Sequence, residues 1–196
     1  NVRIFVDAEE SWIQNTIDQL AYEMMEKFNQ NEAIIFNTFQ MYRVDMLANL
    51  TQAIATAESK NYFLGVKLVR GAYLEKERQR AHEDEYSEPL HKEKAATDHD
   101  FNEGMLLCLQ HIETVNFCIG THNEASCLQL IQAMQEAHIP NNHAHVYFAQ
   151  LLGMSDNISY NLANAGYNVA KYVPYGPIES VMPYLFRRAD ENSSIA

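Results

Sequence analysis

The chain has 196 residues, of which 47% are hydrophobic and 20% are charged. This is enough apolar sequence for one packed core and little for two, and it excludes a disordered polymer. The net charge of −12, with no long block of Lys or Arg, argues against nucleic acid and anionic membrane surfaces as ligands.

The cysteines indicate a reducing compartment. Cys108, Cys118 and Cys127 are odd in number and form no CxxC pair, so no disulfide framework is predicted. No apolar run reaches the roughly 18 residues that span a bilayer, and no signal peptide opens the sequence. We therefore expect a protein that is not secreted.

Short apolar segments alternate with longer amphipathic ones along the whole chain. The predicted strands are Arg3–Val6, Ala33–Asn37, Gly65–Val69, Phe117–Gly120, His145–Ala149 and Asn168–Val173. The predicted helices include Trp12–Lys27, Val44–Ser59, Ala125–Ala137 and Glu179–Glu191, with one more between Tyr73 and Phe117. Apolar residues recur in them at spacings of three and four.

Strands that alternate with helices predict βα units and a parallel sheet. Six units at this spacing favour a (βα) barrel, but a closed barrel of eight units needs about 250 residues. We therefore predict a TIM-like (βα)8 barrel of which residues 1–196 supply six units as a single domain. An open doubly wound sheet is the alternative, although no GxGxxG follows any strand.

Polar residues cluster where the predicted strands end, which is where barrel enzymes place their sites. Asp7 and Asn37 end the first two strands. The next three are followed by Arg70-Gly71-Ala72-Tyr73, Thr121-His122-Asn123 and Leu151-Leu152-Gly153. Tyr172 comes at the end of the sixth strand.

Each of these residues also has a purely structural interpretation. Asp7 is a suitable cap for the first helix, His122 fits a hydrogen-bonded core histidine, and Gly71 fits a plain turn. Lys67 differs, since it lies mid-strand and a lysine that faces a barrel interior is costly unless it is paired or functional.

The last predicted helix carries a cationic cluster. Arg187 and Arg188 are adjacent, and Tyr184 precedes them by three and four residues, so the three share one face. Two guanidinium groups can bind a small carboxylate in a bidentate fork. Glu191 extends the same face, so an ordinary surface ion-pair ladder is the alternative.

No metal site is predicted. The segment from Asp98 to Gly104 begins like a calcium loop, but its glycine falls one place late and Leu109 takes the position of the last acidic ligand. The histidines around Pro140 lack any HExxH motif or cysteine partner.

Two segments of the chain are distinctive. The first is Gly65-Val66-Lys67-Leu68-Val69-Arg70-Gly71-Ala72-Tyr73-Leu74. The second is Lys171-Tyr172-Val173-Pro174-Tyr175-Gly176, followed by Tyr184-Leu185-Phe186-Arg187-Arg188 and Glu191. These two segments resemble the proline dehydrogenase family, and most closely its monofunctional, mitochondrial-type branch. Further segments that match the family are Val6-Asp7-Ala8-Glu9-Glu10, Phe36-Asn37-Thr38-Phe39-Gln40, Thr121-His122-Asn123 and Gln150-Leu151-Leu152-Gly153-Met154.

The resemblance implies FAD-dependent oxidation of L-proline to Δ1-pyrroline-5-carboxylate, with a hydride passed from proline C5 to flavin N5. It implies catalytic roles for Asp7, Lys67 and Tyr172, and a carboxylate clamp of Arg187 and Arg188. The side chains that pack on the substrate ring match Tyr73, Leu151, Tyr172 and Tyr184. The flavin contacts match Asn37, Lys67, Val69, Gly71, Ala72, Tyr73, Thr121, His122, Asn123 and Glu191, with Lys94 a weaker match.

The resemblance also implies partners. Electrons are expected to leave for a quinone, with peripheral association at the inner mitochondrial or bacterial cytoplasmic membrane. In the family two βα units precede the strand that ends in Asp7, and one of them supplies a substrate lysine. We therefore expect a further N-terminal segment to complete the barrel.

Three other functions stay open at this point. A hydroxyproline dehydrogenase is similar, but that branch carries Ser where Tyr172 stands, and a tyrosine should crowd a ring hydroxyl. A flavin-free barrel fragment would act as a binding module. A barrel lyase would use Lys67 as a Schiff-base nucleophile, which leaves the cluster of Tyr184, Arg187 and Arg188 without a role.

Overall fold

The protein, a computed structural model, is described over residues 2–193, with the side chains of residues 180 and 187–193 outside the description. Its strands are β1 (Ile4–Val6), β2 (Ile35–Gln40), β3 (Leu64–Val69), β4 (Val115–Gly120), β5 (Val146–Leu151) and β6 (Val169–Tyr172). Its helices are α1 (Ser11–Phe28), α2 (Met46–Lys60), α3 (Leu74–Glu83), α4 (Lys94–Gln110), α5 (Glu124–Glu136), α6 (Asp156–Asn164) and α7 (Ile178–Ser193).

The six strands form one parallel sheet in the order β1-β2-β3-β4-β5-β6. Strand order that follows chain order is the arrangement of a barrel, whereas a doubly wound sheet reverses its order at a switch point. The predicted barrel-like fold is therefore confirmed, and the open doubly wound alternative is excluded.

Contacts between distant strands show that the sheet is curled. The guanidinium of Arg3, just before β1, lies 4.9 Å from the ring centroid of Tyr147 in β5. The ammonium of Lys67 in β3 lies 5.7 Å from the ring centroid of Tyr172 in β6. Side chains of the inner face thus meet across the barrel interior.

The hydrophobic core lies outside the sheet, between its outer face and the helices. Leu64, Val66 and Leu68 of β3 belong to it, as do Phe117 and Ile119 of β4. Their neighbours along the strands point inward, because successive side chains of a strand alternate between faces. The outer face therefore carries most of the burial, and the inner face is available for a site.

Five strands agree with the predicted ones to within two residues at each end, but β2 does not. Its predicted end was Asn37, whereas the strand continues to Gln40, with Thr38 paired to Lys67 and Gln40 to Val69 of β3. Phe39 is buried in the outer core, so the period-two pattern runs on past the predicted end. The interval between Tyr73 and Phe117 holds two helices, α3 and α4, where one was expected.

Candidate active site

The centre of the candidate site is an ion pair at the carboxyl ends of two strands. The ammonium of Lys67, on the inner face of β3, contacts the carboxylate of Asp7, directly after β1. The Lys67 side chain is 19% exposed and that of Asp7 is 51% exposed, so the pair is sheltered on one side and open to solvent on the other. The inward orientation predicted for Lys67 is confirmed.

Asp7 does not cap the first helix. The residue before α1 is Glu10, whose side chain makes no capping hydrogen bond. The carboxylate of Asp7 is used on Lys67 instead. The structural interpretation of Asp7 as a helix cap is therefore wrong.

Two tyrosines form an aromatic wall beside this ion pair. The rings of Tyr172, at the end of β6, and Tyr184, in α7, lie 5.5 Å apart between centroids with a tilt of 49°. Tyr172 is 42% exposed, and Leu151, at the end of β5, is buried. Strand β5 connects to the wall through Leu152, whose N–H donates to the carbonyl of Tyr172 at 2.9 Å.

The same helix α7 contains Arg187, Arg188 and Glu191, whose side chains lie outside the described part of the chain. Their predicted roles in binding a carboxylate and the flavin therefore remain predictions. The ring of Tyr172 lies against both Tyr184 of this helix and the ammonium of Lys67, so it links α7 to the ion pair.

The loop after β3 is held tightly against the neighbouring strand. Gly71 has a φ of 155°, and a Cβ at this position would lie 2.4 Å from a ring carbon of Tyr42. Only glycine fits such an approach without displacing the ring. The N–H of Ala72 donates to Oε1 of Gln40 at 3.0 Å, and the hydroxyl of Tyr73 donates to Oε2 of Glu9 at 2.5 Å.

A second cationic group lies at the ends of β3 and β4. Arg70 donates from Nε to Asp98 at 2.6 Å and from Nη1 to the hydroxyl of Thr121 at 2.8 Å. Lys94 donates to the other oxygen of Asp98 at 2.6 Å. Burial acts to raise the pKa of Asp98, but the hydrogen bonds from Lys94 and Arg70 outweigh it and hold that pKa below its ordinary value.

The residues after β4 have structural partners as well as predicted functional ones. Nδ1 of His122 lies 2.8 Å from the hydroxyl of Ser155, a residue with the left-handed φ of 51°. Oδ1 of Asn123 accepts from the N–H of Ser126 at 3.0 Å and so caps α5. Val69, the last residue of β3, is half-buried opposite Gln40 of β2.

Asn37 does not lie with the site residues at the carboxyl ends of the strands. Its side chain is fully buried on the outer face of β2 and donates to Asp18 of α1 at 2.7 Å. The prediction that Asn37 ends β2 is therefore wrong, because β2 is three residues longer, and the predicted flavin contact of Asn37 stays a prediction. The polar side chain at the carboxyl end of β2 is Gln40, which is buried and faces inward.

Sequence reasoning also missed Glu9 and Gln40 as part of the site. Gln40 could have been found by extending the period-two pattern of Phe36 and Thr38 along the inner face. No signal in the sequence pairs Glu9 with Tyr73, since 64 residues separate them. Among the residues that the structure describes, no group of three or more His, Cys, Asp or Glu side chains could hold a metal ion. All three cysteines are free and buried.

Comparison with known proteins decides the family. The model of the family described as "Proline dehydrogenase" matches residues 1–196. The chain belongs to the proline dehydrogenase family. The human mitochondrial proline dehydrogenase 1 is 43% identical over 197 residues, which cover 99% of this chain and 33% of the human protein. The Xenopus laevis hydroxyproline dehydrogenase is 39% identical over 198 residues, which cover 99% of this chain and 42% of that protein.

The fold is also found in a solved structure. A crystal structure of proline utilization A (PutA) from Bdellovibrio bacteriovorus superposes with a TM-score of 0.89 at 22% identity, covering 95% of this chain and 19% of that one. The chain spans about a third of the length of the mitochondrial proline dehydrogenases that it matches. No helix within residues 2–193 has the length and apolar character of a membrane span.

The side chains of this proline dehydrogenase family member fit the FAD that its family implies. FAD carries a pyrophosphate and a polar ring edge, which call for cations and hydrogen-bond donors. The strand ends offer Lys67, Arg70 and Lys94 as cations, and the hydroxyl of Thr121 as a further polar group, within a chain of net charge −12. This donor set is concentrated where barrels bind their ligands.

Proposed function

We propose that residues 1–196 form a single FAD-binding catalytic domain that oxidises L-proline to Δ1-pyrroline-5-carboxylate. When bound, FAD supplies the acceptor for the hydride that leaves proline C5, at flavin N5, and the protein supplies position and electrostatics. One observation carries the proposal beyond family membership. The inward ammonium of Lys67 contacts the carboxylate of Asp7 and lies 5.7 Å from the ring centroid of Tyr172, which in turn packs against Tyr184.

The substrate is held by its two ends in this proposal. Arg187 and Arg188 bind the proline carboxylate, since paired guanidinium groups suit a bidentate acid. Tyr73, Leu151, Tyr172 and Tyr184 pack on the apolar pyrrolidine ring. The contact between the rings of Tyr172 and Tyr184 supports this division, because it gives α7 one fixed face toward the pocket.

The cofactor is held by the strand ends. Lys67 stabilises the negative charge that accompanies the hydride, and Asp7 orients the Lys67 ammonium. Further contacts come from a set that the loops after β3 and β4 present, together with α7: Val69, Gly71, Ala72, Tyr73, Thr121, His122, Asn123 and Glu191. Gln40 takes the place expected of Asn37, and Lys94 remains a peripheral candidate.

The barrel is completed by a further segment in this proposal. Within the described residues, β1 pairs only with β2 and β6 pairs only with β5, so the sheet has two unpaired edges. Apolar side chains are exposed there, with Ile4 53% and Phe5 41% exposed at one edge and Val173 56% exposed at the other. Two preceding βα units, one with a substrate lysine, would pair both edges and cover these groups.

The electron acceptor is a quinone, reached by peripheral association with a membrane. A site on the mitochondrial matrix side or in the bacterial cytoplasm suits such association and agrees with free, buried cysteines. The mitochondrial names of the human and Drosophila relatives support the mitochondrial placement.

The decisive experiment is an anaerobic titration of the purified protein with L-proline, followed by the flavin absorbance near ~450 nm. We expect bleaching by L-proline and none by D-proline. A bound flavin that L-proline leaves oxidised would contradict the substrate. A protein that binds no flavin would support the binding-module alternative, and trapping of a carbonyl substrate on Lys67 by borohydride would support the lyase.

An inactivator gives an independent check. The Bdellovibrio PutA was inactivated by N-propargylglycine. We expect the same compound to inactivate this protein, with L-proline protecting it. Inactivation that L-proline does not slow would place the reaction outside the proline site.

Hydroxyproline oxidation is the second candidate, favoured by the 39% identity with the Xenopus enzyme. Tyr172 separates the two candidates, because its ring lies against Tyr184 and narrows the space at the substrate ring. We expect L-proline to have the higher kcat/KM, and the Tyr172→Ser variant to lower the ratio of the two values. A wild-type preference for trans-4-hydroxy-L-proline would reverse the assignment.

A further inference from the structure

Glu9 stands out among the charged side chains to which the proposed function gives no role. It is half-buried in the segment between β1 and α1, and it accepts the hydroxyl proton of Tyr73 at 2.5 Å. A phenol that donates to a carboxylate makes a charge-assisted hydrogen bond, which is shorter and stronger than a neutral one. The two residues belong to different βα units and are 64 positions apart.

The backbone of Glu9 is itself fixed on both sides. Its N–H donates to Oε1 of Gln14 at 2.8 Å, and its carbonyl accepts from Nε2 of Gln40 at 2.8 Å. Gln14 and Gln40 are buried, with 2% and 3% of their surfaces exposed. The backbone that carries the Glu9 carboxylate is therefore held in one position.

The same glutamine holds the residue that precedes Tyr73. Oε1 of Gln40 accepts from the N–H of Ala72, so one side chain joins the loop after β1 to the loop after β3. The hydrogen bond from the Tyr73 hydroxyl to Glu9 is a second link between the same two loops. The chain is thus held at Ala72, directly before Tyr73, and the Tyr73 side chain is held at its hydroxyl.

We infer that Glu9 is a positioning and specificity residue that acts through Tyr73. It fixes the Tyr73 ring and keeps the phenolic proton away from the substrate. The Tyr73 side chain then faces the substrate ring with its aromatic carbons, while its hydroxyl donates to Glu9. This arrangement favours an unsubstituted pyrrolidine over a hydroxylated one. The inference rests on the proposed function, in which Tyr73 packs on the substrate ring.

The test compares kcat/KM for L-proline with that for trans-4-hydroxy-L-proline in purified, flavin-loaded protein. Glu9→Ala frees the phenol to hydrogen-bond a ring hydroxyl, so the proline-to-hydroxyproline ratio should fall by about fivefold or more, the worth of roughly one hydrogen bond. Glu9→Gln keeps an acceptor oxygen and should restore most of the wild-type ratio.

The tyrosine background makes the test specific. In Tyr73→Phe there is no hydroxyl to release, so adding Glu9→Ala should leave the ratio unchanged. Glu75→Ala is the matched control, since it removes an exposed carboxylate two residues after Tyr73, in the first turn of α3. It should leave the ratio at its wild-type value. A ratio that Glu9→Ala leaves unaltered, or alters equally in the Tyr73→Phe background, overturns the inference.

A readout without turnover separates this inference from the proposed function. The melting temperatures of Glu9→Ala, Tyr73→Phe and the double variant should show losses that do not add, because one bond is removed in all three. Additive losses would overturn the pairing. Failure of wild-type protein to be reduced by L-proline would instead count against the proposed function, whatever the melting temperatures show.

Discussion

The two faces of the curled sheet differ in composition and in what they do. On the outer face, Phe117 and Ile119 of β4 are fully buried under the helices. On the inner face, Lys67 and Tyr172 remain partly exposed and meet across the barrel. The outward residues of each strand thus stabilise the fold, and the inward residues that alternate with them form the site.

The comparison is closest for two lysines of nearly equal exposure. Lys67 is 19% exposed and pairs with Asp7 on the inner face. Lys171 is 21% exposed and pairs with Asp156 at 2.8 Å on the outer face, where it also donates to the carbonyl of Met154. Since burial and charge are matched, any difference in function between them comes from the face on which they lie.

The largest effect on stability is expected on the outer face. Phe117→Ala removes a fully buried ring and should lower the free energy of unfolding by about 3–5 kcal/mol, through lost transfer energy and the cavity that remains. Urea unfolding measures it. Cys118 is the next residue and lies on the inner face. The Cys118→Ala variant should lower the free energy of unfolding by about 1 kcal/mol, because it removes a single sulfur atom. Equal losses at the two positions would contradict the division between the faces.

A substitution at Lys67 should change the free energy of unfolding less than Phe117→Ala does, but it should slow the reaction strongly. Lys67→Met should slow flavin reduction by L-proline by about 100-fold, the usual cost of a lost electrostatic contact in the transition state. Stability should change by at most about 1 kcal/mol, because Asp7 remains accessible to water. Stopped-flow absorbance and urea unfolding give the two values.

Lys171→Met is the control for that variant. It should change stability by a similar small amount and leave the rate of flavin reduction close to the wild-type value. If the two lysine variants slow the reaction equally, Lys67 has no special place in the site.

The smallest effect is a pH dependence at Asp98 of α4, which pairs with Arg70 at the end of β3. Burial opposes the charge of Asp98, but hydrogen bonds from Lys94 and Arg70 leave its pKa below the ordinary 3.8. A carboxylate with a lowered folded pKa stabilises the protein above its unfolded value, and the contribution is lost as the pH falls through the folded value. The stability difference between wild type and Asp98→Asn should therefore shrink below about pH 4.

Urea unfolding of both proteins from about pH 6 to about pH 3 measures that difference. Asp84→Asn is the control, since Asp84 pairs with Arg80 across a single exposed helical turn and such pairs contribute little. A difference for Asp98→Asn that grows as the pH falls would reverse the sign and exclude the ion cluster as its cause.

Much of the fold could be predicted because its signals are local. Apolar β-branched runs alternate with helical spacing, and this pattern located the six described strands and most of the helices between them, although it predicted one helix where α3 and α4 lie. Regular βα repetition also favoured a barrel. The boundary of β2 was the exception, since Asn37 resembles a strand end although Phe39 and Gln40 continue the pairing with β3.

The sequence by itself determined the family, the order of the βα units, the positions of Asp7 and Tyr172 at strand ends and the position of Lys67 within a strand. Only the tertiary structure decided which faces of β2 Asn37 and Gln40 occupy. It turned Asn37 outward to Asp18, turned Gln40 inward, and joined Glu9 to Tyr73. The physical reason is that the alternation of a strand depends on its register with its neighbours, and contacts between distant residues depend on how the sheet curls.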